Sequence, residues 1–119
     1  MPPVGGFQRI KKKYMAKKTT IVSKSTPENA KFSEVSKFLK IVSDENRLRI
    51  LLTLGDGTMN VTDIHSKLKL PQNLTSHHIS KLKSLDLLNE KREGTFRHYS
   101  VNTKKLKECS KLFRELLNI

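Results

Sequence analysis

Apolar residues recur along this chain with a helical rhythm that gives way once to a strand-like one. Phe32, Val35, Phe38, Leu39 and Val42 are spaced by three and four, as on one face of a helix. Thr26 and Pro27 supply an N-cap and a first helical residue, so the pattern predicts a helix to about Val42. Ser43-Asp44 caps a second helix, Glu45 to about Leu54. Its Leu48, Ile50, Leu51, Leu52 and Leu54 leave little polar surface, which places it at the centre of the domain. Gly55-Asp56-Gly57 ends it. A third helix runs from about Val61 to Lys69, capped by Asn60 or Thr62, with Val61, Ile64 and Leu68 inward. Leu70-Pro71 bends the chain into a fourth helix, residues 72–85, with Leu74, His78, Leu82 and Leu85 on one stripe. Two short helices joined by a tight turn form a helix-turn-helix pattern.

The rhythm then changes. Asn89 to Val101 reads as a β-hairpin with Gly94 at its tip. Asn102-Thr103 caps a last helix to about Asn118, striped by Leu106, Cys109, Phe113, Leu116 and Leu117. The expected fold is mainly α, with five helices and a small β-hairpin in the order α-α-α-α-β-β-α. Residues 26–119 make up the domain. Residues 1–25, with Pro2, Pro3, Gly5, Gly6 and a lysine-rich run, are expected to be a basic disordered tail. Met15-Ala16-Lys17-Lys18 looks like a translation start, so residues 1–14 are a real extension, an alternative start or an upstream mis-start.

Charge gives this fold a partner. The chain has 119 residues and a formal charge of +13. Residues 1–25 hold Arg9, Lys11, Lys12, Lys13, Lys17, Lys18 and Lys24 and no acid, and the remainder is basic as well. A polyanion is the simplest partner. The tail either adds sequence-independent phosphate affinity or only solubilises. The polar side of the fourth helix carries Gln72, Asn73, Ser76, His77, Ser80, Lys81, Lys83 and Ser84, with no carboxylate before Asp86. Amides and hydroxyls edged with Lys suit the floor of a DNA major groove. A solvated helix that happens to lack acids is the plainer alternative. In the hairpin, Lys91, Arg92, Arg97 and His98 are placed to meet phosphates or the minor groove, or else the hairpin only completes the core.

Other classes lose ground. There is no Gly-rich phosphate loop, nucleophile elbow or paired carboxylates, so an enzyme has no support. Trp is absent and aromatics are few, which argues against a single-strand stacking platform. No apolar run reaches transmembrane length, and no secretory signal is apparent. One Cys excludes an intramolecular disulfide and fits a reducing cytoplasm, the expected location.

The order of elements, and three segments within it, resemble the ArsR/SmtB winged-helix repressors over Phe38 to Leu117. These are Phe38 to Leu51, Leu70 to Leu88, and Arg92-Glu93-Gly94 with Tyr99-Ser100-Val101. The resemblance implies a homodimer built on the first and last helices, through Phe32, Val35, Leu39, Leu106, Cys109, Phe113, Leu116 and Leu117. Two recognition helices, 72–85, would enter successive major grooves of a pseudo-palindromic double-stranded operator, with wing 89–101 on the backbone or minor groove. By position, Gln72, Ser76 and His77 are expected to face bases. Asn73, Thr75, Ser80 and Lys81 are expected at phosphates, with Lys91, Arg92 and Arg97 of the wing. His78 matches a family histidine and is read as structural.

The departures bear on sensing. Asn60 and Thr62 stand where metal-sensing relatives have Cys, and the last helix offers Glu108, Cys109 and Glu115 but no His. No metal site and no cofactor is therefore expected. Cys109 is either a small core residue or a redox-sensing thiol that pairs across the dimer or is modified by a small thiol. Thr95 replaces an Arg frequent in relatives, leaving Arg92 and Arg97 to make the wing contacts. A ligand-independent winged helix for architectural DNA, RNA or protein binding is the alternative, since fold alone does not decide function.

Overall fold

The structure, a computed structural model, describes residues 26–119. The expected tail, 1–25, lies outside the described residues. The elements are α1 (Pro27–Val42), α2 (Glu45–Leu54), β1 (Met59–Asn60), α3 (Val61–Leu68), α4 (Gln72–Ser84), β2 (Leu88–Glu93), β3 (Phe96–Val101) and α5 (Thr103–Leu117). They fall into two compact units. Among the described residues, one is residues 37–106, and the other joins residues 26–36 to residues 107–119.

In the central unit, local signals set each boundary. The Asp44 carboxylate accepts the Asn46 and Arg47 amides at 2.9 and 3.1 Å and so starts α2. Such a cap contributes about 1 kcal/mol. Gly55, at φ 53°, ends α2, its N–H donating to Leu51 O. Asn60, the first of the two expected caps, accepts the Asp63 amide and starts α3. Lys69 takes the left-handed conformation at the end of α3, and Leu70 and Pro71 then lead into α4. Gly94 and Thr95 form the two-residue hairpin turn, Glu93 pairing with Phe96. Gly94 has φ 62° and occupies the place Gly takes in a type II′ turn. Asn102 closes the unit: its amide groups donate to Leu87 O and Asp86 O, and its side-chain oxygen caps α5 at Lys105.

The core of this unit is Ile50, Leu51 and Leu54 of α2, Ile64 of α3, Ile79 and Leu82 of α4, with Leu87, Leu88 and Tyr99 from the sheet side. Each fully buried Leu or Ile contributes roughly 1.5–3 kcal/mol.

Three findings revise the sequence reading. The sheet has three strands, ordered β1-β3-β2 and antiparallel, because Met59 and Asn60 pair with Tyr99 and His98. Two residues are too few to show alternation. Helix α2 is not enclosed on most sides. It packs against α3, α4 and β3 and leaves Leu48 47% and Leu52 73% exposed. In α4 the buried residues are Thr75, His78, Ile79 and Leu82, whereas Leu74 is exposed. The inward stripe is thus rotated toward Thr75, since contact with α2 and α3 sets the phase of the helix, not its most apolar residue.

In the terminal unit, Thr26 caps α1 by accepting the Asn29 amide at 3.2 Å. Lys31 Nζ meets Glu115 Oε2 of α5 at 3.1 Å. Val35 and Cys109 are buried. Phe32, Phe113, Leu117 and Ile119 remain at the surface.

Candidate nucleic-acid interface

Helix α4 divides cleanly into two sides. Thr75, His78, Ile79 and Leu82 face the core. Gln72, Asn73, Ser76, His77, Ser80 and Lys81 are all exposed. Gln72, Ser76 and Ser80 step by four and share one line along the helix. Its first turn carries no acid and its last carries Lys81 and Lys83. The outward side therefore presents amide, hydroxyl, imidazole and ammonium groups and no carboxylate. Asn73 is partly occupied locally, its side-chain oxygen accepting the Leu74 amide at 2.9 Å.

Thr75 must be withdrawn from the expected phosphate contacts. It is fully buried, and its hydroxyl donates to Pro71 O at 3.0 Å. Its neighbours in sequence are exposed, but the 100° step between them turns Thr75 into the core.

The wing presents Lys91, Arg92 and Arg97, all exposed. Arg92 and Arg97 lie directly opposite each other across the two strands. Like charges in such a pair repel. On the other strand face Glu93 stands 4.0 Å from Lys91 Nζ and 3.8 Å from His98 Nε2. Phe96, beside the turn, is exposed.

One link between helix and wing has no trace in sequence spacing. Lys83, part of the expected polar side, donates to Glu90 Oε1 of β2 at 2.8 Å and lies 5.9 Å from the Tyr99 ring centre. The hydrogen bond from Lys83 holds the Glu90 carboxyl below the usual carboxylate range. Burial and the neighbouring Glu90 push the Tyr99 hydroxyl above its ordinary value. Lys83 thus braces the wing against α4. The pair is joined only after the chain has turned from helix to strand, which periodicity within either element does not record.

The expected dimer residues divide as well. Phe32, Leu39, Phe113 and Leu117 are exposed, and Leu106 and Leu116 are half-buried. Val35 and Cys109 are buried within the single chain, 3% and 2% exposed, so they have no surface to offer a second copy. They sit on the inner edge of each stripe, where intrachain packing claims them. Of the positions considered for metal, Asn60 is used as a helix cap and Glu115 pairs with Lys31.

A three-helix body that presents an acid-free helix beside a basic hairpin defines a winged helix-turn-helix DNA-binding regulator. Known proteins agree. A helix-turn-helix domain model matches residues 42–91. An uncharacterised HTH-type transcriptional regulator of Methanocaldococcus jannaschii is 36% identical over 87 residues, 72% of this chain and 98% of that one. The transcriptional repressor SdpR of Bacillus subtilis is 32% identical over 79 residues, 66% of this chain and 88% of the repressor. The solved structure of HlyU from Vibrio cholerae superposes with a TM-score of 0.62 at 27% identity, covering 76% of this chain and 97% of that one. The chain belongs to the ArsR/SmtB family of helix-turn-helix transcriptional regulators. Its work is binding and regulation, not covalent catalysis.

Proposed function

We propose that the protein is a homodimeric repressor that reads a pseudo-palindromic double-stranded operator. Gln72, Ser76 and His77 contact bases in the major groove. Asn73, Ser80 and Lys81 contact phosphates beside them, and Lys91, Arg92 and Arg97 hold the backbone or minor groove from the wing. The observation that carries this reading is the division of α4, where every polar residue from Gln72 to Lys81 apart from Thr75 and His78 is exposed and none is acidic. A helix used for protein contact has no need of an acid-free side. The exposed apolar residues of α1 and α5 supply the dimer contacts, and SdpR supplies the precedent for repression. Among the described residues no helix is long and apolar enough to cross a membrane, and the proposed site of action is the cytoplasm.

A shift assay of the full chain on the DNA upstream of its own gene tests this. Selective, salt-sensitive binding is expected, with log affinity falling linearly against log salt. Equal binding to random DNA at every salt concentration would sink the reading. The Gln72→Ala variant is expected to lose roughly 1–3 kcal/mol on the operator and little on random DNA. A uniform loss on both would make Gln72 a backbone contact.

A further inference from the structure

His78 is the exception on the inner side of α4. Thr75, three residues earlier, hands its hydroxyl to Pro71 O. His78 is 6% exposed, and among the described residues its Nδ1 is the buried side-chain polar atom with no hydrogen bond. Such an atom destabilises the folded chain and calls for a reason.

The surroundings suggest one. Asp44 Oδ1 lies 3.9 Å from Nδ1, just outside hydrogen-bond range. That same oxygen already accepts the Asn46 and Arg47 amides that start α2, so both its lone pairs are engaged. Three charged or titratable groups bear on the ring: Asp44 from the connection before α2, Arg47 from α2, and His77 from α4 itself. Burial is the largest influence and pushes the imidazole below its ordinary value. Asp44 pulls it up, and Arg47 and His77 push it down. Burial thus favours the uncharged ring.

We propose that His78 is a positioning residue that seats the reading helix against the start of α2 and makes operator binding acid-sensitive. The proposal rests on the DNA-reading role of α4 given above. A proton on Nδ1 places a charge where no hydrogen bond awaits it. The ring then has two courses. It can close on Asp44 Oδ1, since a charge-assisted bond of this kind spans about 2.7–2.9 Å, and so compete with the α2 cap. Otherwise it turns out toward water. Either course moves α4 relative to α2, and His77 and Ser76 lie one and two residues away on the same helix. A reading site tolerates about 0.5 Å of such movement.

The sign of the effect makes it separable. His77 is exposed and His98 half-buried, and both lie on the proposed DNA-facing elements. A proton on either adds attraction to phosphate and strengthens binding. Acid loosening through His78 and acid tightening through His77 and His98 run in opposite directions.

The test is fluorescence anisotropy of the full chain on its operator and on random DNA between pH 7.5 and 5.5, with circular dichroism confirming that the chain stays folded. Operator affinity is expected to fall with acid, by up to about tenfold per pH unit for each subunit of the dimer, the limit for uptake of one proton by each His78. Random-DNA affinity holds or rises. The His78→Gln variant is expected to lose the acid-induced fall and reveal the opposite slope. Asp44→Asn, which keeps a good cap but removes the charge, is expected to shift the midpoint to lower pH. A selective complex whose acid profile is unchanged by His78→Gln, or wild-type operator affinity that rises with acid, overturns this proposal alone. Absence of selective binding at pH 7.5 overturns the reading beneath it as well. Should His78→Gln not fold, NMR titration of the wild-type chain decides. The His78 ring is expected to titrate below the ordinary imidazole value, with the amides of residues 72–80 following its midpoint. Amides that ignore that midpoint overturn the proposal.

Discussion

In residues 37–106, apolar residues at helical spacing end up inside: Ile50, Leu51, Leu54, Ile64, Ile79 and Leu82 are buried. In the terminal unit, residues of the same kind at the same spacing behave differently. Of the apolar stripes on α1 and α5 there, Val35 and Cys109 are buried, whereas Phe32 is 52% and Phe113 36% exposed. The two patterns are indistinguishable as patterns. Periodicity marks a face, while what covers the face depends on the elements that arrive from elsewhere in the chain or from another copy. The central unit supplies its own cover through α2, α3, α4 and the sheet. The terminal stripes keep apolar surface in reserve, as expected of a dimerising region.

The contrast can be broken by mutation. Leu82→Ala, in the central core, is expected to cost about 2–5 kcal/mol, read as a lowered denaturation midpoint. At concentrations where the dimer is saturated, the loss should not vary with protein concentration. A loss below 1 kcal/mol would mean that the central core is not as closed as described. Phe113→Ala is expected to act on association instead. Sedimentation should show dimer association weakened by about 2 kcal/mol or more, the scale of an interface hot spot, with the helical signal retained. An unchanged dimer, or a monomeric wild type, would remove the proposed role of the terminal stripe.

Finer tests lie within the central unit. Thr75→Val keeps the volume and removes the hydroxyl bond to Pro71 O, so a stability loss of about 1 kcal/mol is expected. The salt slope of DNA binding should not move, whereas loss of a real phosphate contact would lower it by about one. Asp44 provides the smallest effect. The Arg47 amide, aided by the charges of His78 and Arg47 and by the Asn46 amide, holds its carboxyl below the usual 3.8 against the opposing effect of burial. A lowered carboxylate pKa means that the unfolded chain binds the proton more readily. The Asp44 contribution is therefore complete above pH 3.8 and lost as pH falls through the folded value. Acid unfolding curves of wild type and Asp44→Asn should converge below that range, and curves that stay parallel would contradict it.

Much of the fold was legible because it is written in short-range chemistry. Thr26, Asp44, Asn60 and Asn102 each cap a helix through a side-chain oxygen two or three residues from its amide. Gly94 turns the hairpin where a positive φ is needed. The exposure of Gln72, Ser76, His77, Lys91, Arg92 and Arg97 followed from polarity and spacing. The errors cluster where a decision belongs to distant residues. Apolarity points Leu48 and Leu52 inward and polarity points Thr75 outward, whereas in the folded chain Leu48 and Leu52 are exposed and Thr75 is buried. Val35 and Cys109 were taken by the chain's own packing before a second copy could use them.

The sequence by itself determined the elements, their order and the polarity of each face, since caps, turns and periods act within a few residues and need no neighbour. Tertiary structure alone decided the rotation of α4 about its axis, the third strand, the Lys83 brace on the wing and the unsatisfied His78 beside Asp44. Each of those joins groups from different elements. Their energies depend on distance and solvent exclusion, which exist only once the chain has closed on itself.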